Sequence, residues 1–363
     1  MQRNILGFLT CALAAPFVLD LSPASAAEGR KPIWQGGTVI TENGSYVLTR
    51  NLSSTGSTPV IEIMAAYVDL DLNGLTISGG STATGIRVAS VSGEFFIRNG
   101  NIVYAQPGVS VTAVGSRVVL EDLNILETTG AGIHIESSER FVLRRVNVFN
   151  ALGDGILVDG VLKKQGTIES CVVRYTGGTP IHVVEGSNVT LRGNQTDTTS
   201  VSEPAIEVHN CTSCLLVENT VHDSGRQGIL LRGFTGGKVY NNVVHHAGTH
   251  GIHLEPTCSD SLVRDNVITG SGFHTSGGGD GLLVEGDRIT IEENTLNGNT
   301  GAGLSLGASS SQLTFGRNTA RGNSGINVGP CAGSPALFPP NSCNEGTANN
   351  TFGNNLIPGP APF

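Results

Sequence analysis

A unit of about two dozen residues repeats from Gly85 to Gly329, and a fixed period of that size leaves little room for any fold but a solenoid. Each unit opens on a small residue, followed by two apolar residues that flank one outward position. The series begins Gly85-Ile86-Arg87-Val88, Gly108-Val109-Ser110-Val111 and Gly132-Ile133-His134-Ile135. It ends Gly303-Leu304-Ser305-Leu306 and Gly325-Ile326-Asn327-Val328. This alternation has the period of a strand, not of a helix. Strands stacked about 4.8 Å apart would make a dozen or so coils and a rod of about 55–60 Å. Function must then be sought among the outward residues.

The second half of the unit has its own signature. In six successive units an asparagine follows an apolar residue by three places: Leu191 to Asn194, Leu216 to Asn219, Val239 to Asn242, Val263 to Asn266, Ile291 to Asn294 and Phe315 to Asn318. Stacked on neighbouring coils, these amides can bond one another and the backbone of the turn. A buried polar column requires such bonds. Earlier units carry Gly100, Leu123, Val146 and Cys171 at this place, so the ladder belongs to the C-terminal half.

The Gly-Ile-x-Val…Asn repeat resembles that of the right-handed parallel β-helix proteins of the pectate-lyase-like superfamily. The segment from Val68 to Ile77 is similar to the opening coils of secreted bacterial members. The resemblance implies an all-β, right-handed parallel β-helix over 59–328, an N-terminal cap over 27–58 and a Gly/Pro/Asn-rich cap or tail over 329–363. It also implies a polysaccharide or oligosaccharide partner. The catalytic sets of the pectin hydrolases (Asn-x-Asp, Asp-Asp, Gly-His-Gly, Arg-x-Lys), of the alginate epimerases (Asp-Pro-His) and of the pectate lyases (Arg-x-Pro-Arg) are absent, so no residue role carries over from them. Composition agrees with the fold. Fifty glycines suit tight corners and close stacking, and an aromatic content of 5 % suits a thin aliphatic interior.

Residues 1–26 read as a signal peptide. Arg3 supplies the positive start, Ile5 to Leu21 are largely apolar, and Ala24-Ser25-Ala26 is a small-residue cleavage site. The apolar run is short and interrupted, which argues against membrane insertion. The expected destination is the periplasm or the medium, and the expected state a monomer. A net charge of −9 argues against nucleic acid and anionic membranes, which need basic surface. A polyanionic glycan would need calcium or local arginines.

After that segment the chain keeps Cys171, Cys211, Cys214, Cys258, Cys331 and Cys343, an even number that suits disulfides in an exported protein. Cys331 and Cys343 flank a Pro-containing loop and are expected to pair. Cys211 and Cys214 form either a local disulfide or, with His209, a soft metal site. Cys171 occupies the asparagine-ladder position and is expected as a buried thiol.

On the repeating strand, two columns face outward. Ionisable groups gather between Glu207 and Glu285, where Glu207, His209, Arg232, His253, Glu255 and Glu285 form one patch, with His250 and Asp280 at its corner. Here His253 or His209 can take a proton beside a uronate carboxylate while Arg232 stabilises the developing charge. Glu255 can join them as a catalytic carboxylate, with Glu207, Glu285, Asp280 and His250 as binding groups. Stacked Glu255 and Glu285 repel each other or hold Ca²⁺. The bland alternative is a solvated column of charges that neutralises itself. An insertion from Gly270 to Gly279 is expected as a rim, with Phe273 stacking on a sugar ring. His222 and His245 occupy equivalent places on successive coils and are expected to stack at the surface rather than to bind metal.

These features predict an exported β-helix protein that acts on or binds polysaccharide, as a lyase or epimerase of acidic glycans. The alternatives are a non-catalytic carbohydrate-binding or envelope protein, and a periplasmic metal-handling protein.

Overall fold

The computed structural model describes residues 29–324, apart from 55, 90–91, 137, 161–163, 199–201, 275–277 and 308–309, together with 351–352. The residues read as a signal peptide, the last repeat from Gly325, and Cys331 and Cys343, expected to pair, lie outside the described residues. Those described contain no α-helix, and the chain winds as a parallel β-solenoid. The repeating strands form one sheet of 12 strands, from Thr38–Ile40 through Ile206–His209 to Leu304–Leu306. The rest of each coil joins a second, 24-stranded sheet that folds round the other sides of the core.

Register follows the repeat residue for residue. Ile86, Val109, Ile133, Ile156, Ile181, Ile206, Ile229, Ile252, Leu282 and Leu304 form one continuous column. All are at most 2 % exposed. The small residue opening each unit has a steric cause. A Cβ on Gly251 would sit 2.2 Å from Ile268 Cγ2 and 2.6 Å from the Gly281 carbonyl oxygen. Gly251→Ala is therefore expected to lower stability by about 1–3 kcal/mol through overpacking, read as a shift in the urea midpoint at unchanged slope.

The asparagine ladder forms as the spacing predicts. Each amide Nδ2 donates to the next Oδ1, from Asn194 to Asn219 (2.9 Å) and on to Asn294 and Asn318 (2.9 Å). Each also donates to a carbonyl of the preceding coil, as Asn219 does to Leu191 (2.9 Å). The ladder braces a bend. The residue before it has a left-handed backbone in every coil, including Glu218 (φ 59°), Asp265 (φ 54°), Glu293 (φ 57°) and Arg317 (φ 52°). That conformation is unfavourable for residues with a Cβ, and the bonded neighbour offsets it.

Two features depart from the sequence expectation. The stretch read as a cap supplies the first coil itself, since Thr38–Ile40 pairs with Ile61–Ile63 and Gly44–Leu48 with Val68 to Asp71. Lys31–Ile33 pairs beyond it, on the end strand. A longer charge ladder, which the sequence reading did not single out, runs on the larger sheet. There Asp71, Arg98, Glu121, Arg144, Glu169 and Arg192 stack with alternating sign. Arg144 lies 3.6 Å from Glu121 and 3.5 Å from Glu169.

Candidate functional site

The outward patch sits on the smaller sheet, where Ile206–His209, Ile229–Arg232 and Ile252–Leu254 lie side by side. Glu207 and His209 project from one strand, two residues apart, so their side chains share a face. His209 Nε2 donates to Glu207 Oε1 at 2.6 Å. On the next coil Arg232 NH1 reaches the same Glu207 oxygen at 3.1 Å, and its Nε donates to Glu255 Oε1 at 2.7 Å. Arg232 NH1 is also 3.3 Å from His209 Nε2. With the Nε2 proton directed at Glu207, that last approach brings two donors together and holds nothing.

A second group forms two coils further on. His253 Nε2 donates to Glu285 Oε2 at 2.8 Å, while its Nδ1 is buried without a hydrogen-bond partner. The His250 ring lies 5.4 Å from that of His253, and its Nδ1 accepts the Asp280 backbone N–H at 3.1 Å. Burial holds the His250 pKa below its ordinary value, so the ring is kept neutral. Glu255 and Glu285, expected to face each other, are engaged separately, one on Arg232 and the other on His253.

The middle of the outward column is not outward in exposure. Glu207 is 6 % exposed, Leu230 1 % and His253 9 %. Leu230 fills the place between the two ionic groups and separates them. Burial opposes the Glu207 charge, yet the bond from His209 and the nearby His182 and Arg232 hold its pKa below the ordinary value.

Sequence reasoning missed two members of this surface. His182 pairs in register with Glu207. Its Nδ1 is 3.1 Å from Asp154 Oδ2, and its Nε2 is 4.0 Å from Glu207 Oε2. Burial works against the His182 cation, but Asp154 and Glu207 outweigh it and hold the pKa above the ordinary value. The signal for Asp154 was available, because it precedes Gly155 just as Asp280 precedes Gly281. Both cap the neighbouring coil. Asp154 Oδ1 accepts the Thr179 N–H at 2.8 Å, and Asp280 Oδ1 accepts the Ala302 N–H at 2.7 Å.

Other predicted features fall elsewhere. Phe273 is 48 % exposed, and its ring lies 4.0 Å from that of His274 and 6.3 Å from that of His246, with no ring contact to the patch residues among those described. Cys211 and Cys214 are joined as a disulfide, which removes the thiolates that a soft metal site with His209 would need. Cys171 and Cys258 are buried free thiols, each pushed up to about 11 by burial.

His222 and His245 stack, with ring centroids 5.5 Å apart and planes 18° from parallel. His222 is also paired in register with Asp197. Partial burial, then the neighbouring Asp223, raises the Asp197 pKa. A carboxyl whose folded pKa is raised stabilises below its unfolded value and loses that contribution as pH rises through the folded one. Asp197→Asn is therefore expected to stabilise the protein at pH 7 by less than about 1 kcal/mol. The gain should vanish when melting is repeated below pH 3.8, the ordinary value for that group.

Comparison with known proteins places the architecture. The right-handed β-helix family matches residues 61–203 and 204–359, and the chain belongs to that family. No curated protein matches the sequence. A single-residue mutant of a periplasmic alginate epimerase is 11 % identical, with a TM-score of 0.60 over 87 % of this chain and 79 % of its own. The A-module of an Azotobacter vinelandii mannuronan C-5 epimerase is 15 % identical, with a TM-score of 0.52 over 86 % of each chain. A surface adhesin of Streptococcus pneumoniae is 13 % identical, with a TM-score of 0.53 over 84 % of this chain and 89 % of its own. At these identities the likeness is one of fold.

Proposed function

We propose that this protein is exported to the periplasm or the medium and acts on an acidic polysaccharide as a lyase or epimerase. The observation that carries the reading is that a guanidinium, Arg232, and a histidine–carboxylate dyad, His253 and Glu285, lie on successive coils of one sheet, with Leu230 between them. Two similar folds belong to proteins described as alginate or mannuronan epimerases, which supports the substrate class.

Both reactions begin by removing the proton from the sugar carbon next to a uronate carboxylate. The electrons left behind move onto that carboxylate. Arg232 has five N–H donors, of which Glu207 and Glu255 engage only part, so it can bind the substrate carboxylate and stabilise the enolate. The His253–Glu285 pair receives the proton, with the half-buried Glu285 as its accessible end. Collapse of the enolate to a carbon–carbon double bond expels the oxygen linked at the next carbon, which takes a proton from solvent and leaves an unsaturated sugar. Return of a proton to the opposite face gives the epimer. Calcium between Glu255 and Glu285 would draw both carboxylates from their present partners, so it belongs in the test as a variable.

The second reading is a glycan-binding protein without turnover. It is favoured by the near-complete burial of Glu207, Leu230 and His253, which leaves Arg232, His209 and the two outer glutamates as the accessible surface. The experiment incubates purified protein with polyuronates and neutral glucans, with and without Ca²⁺. Unsaturated products are followed by ultraviolet absorbance and uronate configuration by NMR. Conversion of a polyuronate alone is the expected result. Retention of glycan with no conversion of any substrate would replace the enzyme with the binder.

A further inference from the structure

We propose that His182, Glu207 and His209 form a binding site for a divalent transition-metal ion of the zinc class, reached when Arg232 swings aside. This goes beyond the proposed function and does not rest on it.

Among the described residues these three side chains are the group whose ligand atoms converge, all within 4.8 Å of one another. Two imidazole nitrogens and one carboxylate are a donor set that suits Zn²⁺ and leaves a position open. The arrangement of His182 points the same way. Its Nδ1 is held by Asp154 Oδ2 at 3.1 Å, which fixes the ring and places the Nδ1 proton on the side of the carboxylate. Nε2 is buried and has no hydrogen-bond partner, and once the ring gives up its second proton to an incoming cation that nitrogen presents a lone pair toward Glu207. An orphaned buried nitrogen is costly, so a position used only for packing would be expected to satisfy it. A carboxylate behind a ligating imidazole is the usual outer support of a metal site.

The separation between His182 Nε2 and Glu207 Oε2 is 4.0 Å. A tetrahedral ion with bonds of about 2.0–2.1 Å would hold the two atoms about 3.3–3.4 Å apart, so they need to close by well under about 1 Å to share it. His209 is the third ligand, and its Nε2 at present shares its proton with the other Glu207 oxygen. Without a metal the cationic role falls to Arg232, whose NH1 lies 3.1 Å from Glu207. Its side chain is 36 % exposed and its Nε is anchored on Glu255, so the NH1 end can turn toward solvent while that bond remains. Guanidinium and metal ion therefore compete for one carboxylate.

This competition yields the test. Untagged full-length protein, stripped with a chelator, is titrated with Zn²⁺ by calorimetry and with Co²⁺ by visible absorption. One Zn²⁺ per chain at this site and a tetrahedral Co²⁺ band are expected. His182→Ala and Glu207→Gln should each weaken binding at least about 10-fold, and Asp154→Asn about 10-fold through loss of the support behind His182. Arg232→Gln should tighten it, because it removes the competitor without removing a ligand. Melting curves exclude unfolded variants, and the Arg232→Gln result stands even if Glu207→Gln fails to fold. Absence of zinc binding in both the wild type and Arg232→Gln would overturn the proposal. So would zinc affinity unaltered by His182→Ala and Asp154→Asn, since the ion would then lie elsewhere, such as the His222–His245 stack.

Discussion

Replacing Asn242 by leucine is expected to destabilise the protein by about 4 kcal/mol, beyond what most single substitutions do. Leucine is close to asparagine in size, so the loss is not chiefly one of packing. Asn242 Oδ1 accepts both the backbone N–H of Asn219 (3.0 Å) and its Nδ2 (2.9 Å). Its Nδ2 donates to the Leu216 carbonyl (3.0 Å), the Tyr240 carbonyl (3.2 Å) and Asn266 Oδ1 (3.0 Å). The residue is fully buried, as are Asn219 and Asn266 on either side. Leucine would leave the Asn219 N–H and at least one carbonyl without partners in a site that water does not reach, at about 1–3 kcal/mol each. The bend would also lose the bond that braces the left-handed Asn241 (φ 56°). The control is Asn124→Ala. Asn124 stacks with Asn101 (3.1 Å) and Asn147 (2.9 Å) in a second amide column, but on the outer surface. Water replaces those bonds, so the cost should be below about 1 kcal/mol. Urea unfolding of both variants measures the difference. Equal, small losses would show that the inner ladder is not what holds the bends.

The contrast between these columns shows what the sequence could and could not disclose. The inner ladder was legible because Asn194 to Asn318 recur at one place beside the apolar positions, and only a bonded column is tolerable there. The Gly-Ile-x-Val strands were legible for a similar reason, since every coil repeats the same steric demand. The left-handed bends were only partly so, because Gly193, Asn241 and Asp265 suit that conformation whereas Glu218, Glu293 and Arg317 do not signal it. Their geometry is imposed by the coils above and below. The patch was legible as a set of outward positions, which placed Glu207, His209, Arg232, His253, Glu255 and Glu285 on one sheet. Alternation gives a side chain's direction but not its exposure. Leu230 points outward and is nonetheless 1 % exposed, and it splits the patch in two. Nor does alternation tell which carboxylate meets which cation. Glu255 and Glu285 look like a repelling pair in one column, yet each turns to a partner on another coil. Asp154 is harder to see because it belongs to a corner, where the period of the strand no longer applies.

That partition gives the second large expected effect. If the protein turns over a polyuronate, Arg232→Ala should lower kcat/KM by about 10²–10³-fold, the range found when one preorganised donor to a developing oxyanion is removed. The loss should fall mainly on kcat, because the guanidinium meets a full carboxylate in the ground state and an enolate bearing more charge in the transition state. Arg232→Lys should restore little, since an ammonium cannot hold Glu255, Glu207 and a substrate carboxylate with one planar fork. His253→Ala should also be severely impaired, through loss of the proton-sharing partner of Glu285. The effects distinguish this role from a structural one. Arg232 is 36 % exposed, and His209 still holds Glu207 at 2.6 Å without it, so the melting temperature should change little. Steady-state kinetics beside a thermal melt on the same preparations reads both quantities. Should Arg232→Ala raise KM alone and leave kcat intact, the guanidinium only anchors the chain of sugars. The enolate must then be stabilised by a cation held elsewhere on the sheet, and the metal site proposed at His182, Glu207 and His209 becomes the first place to look.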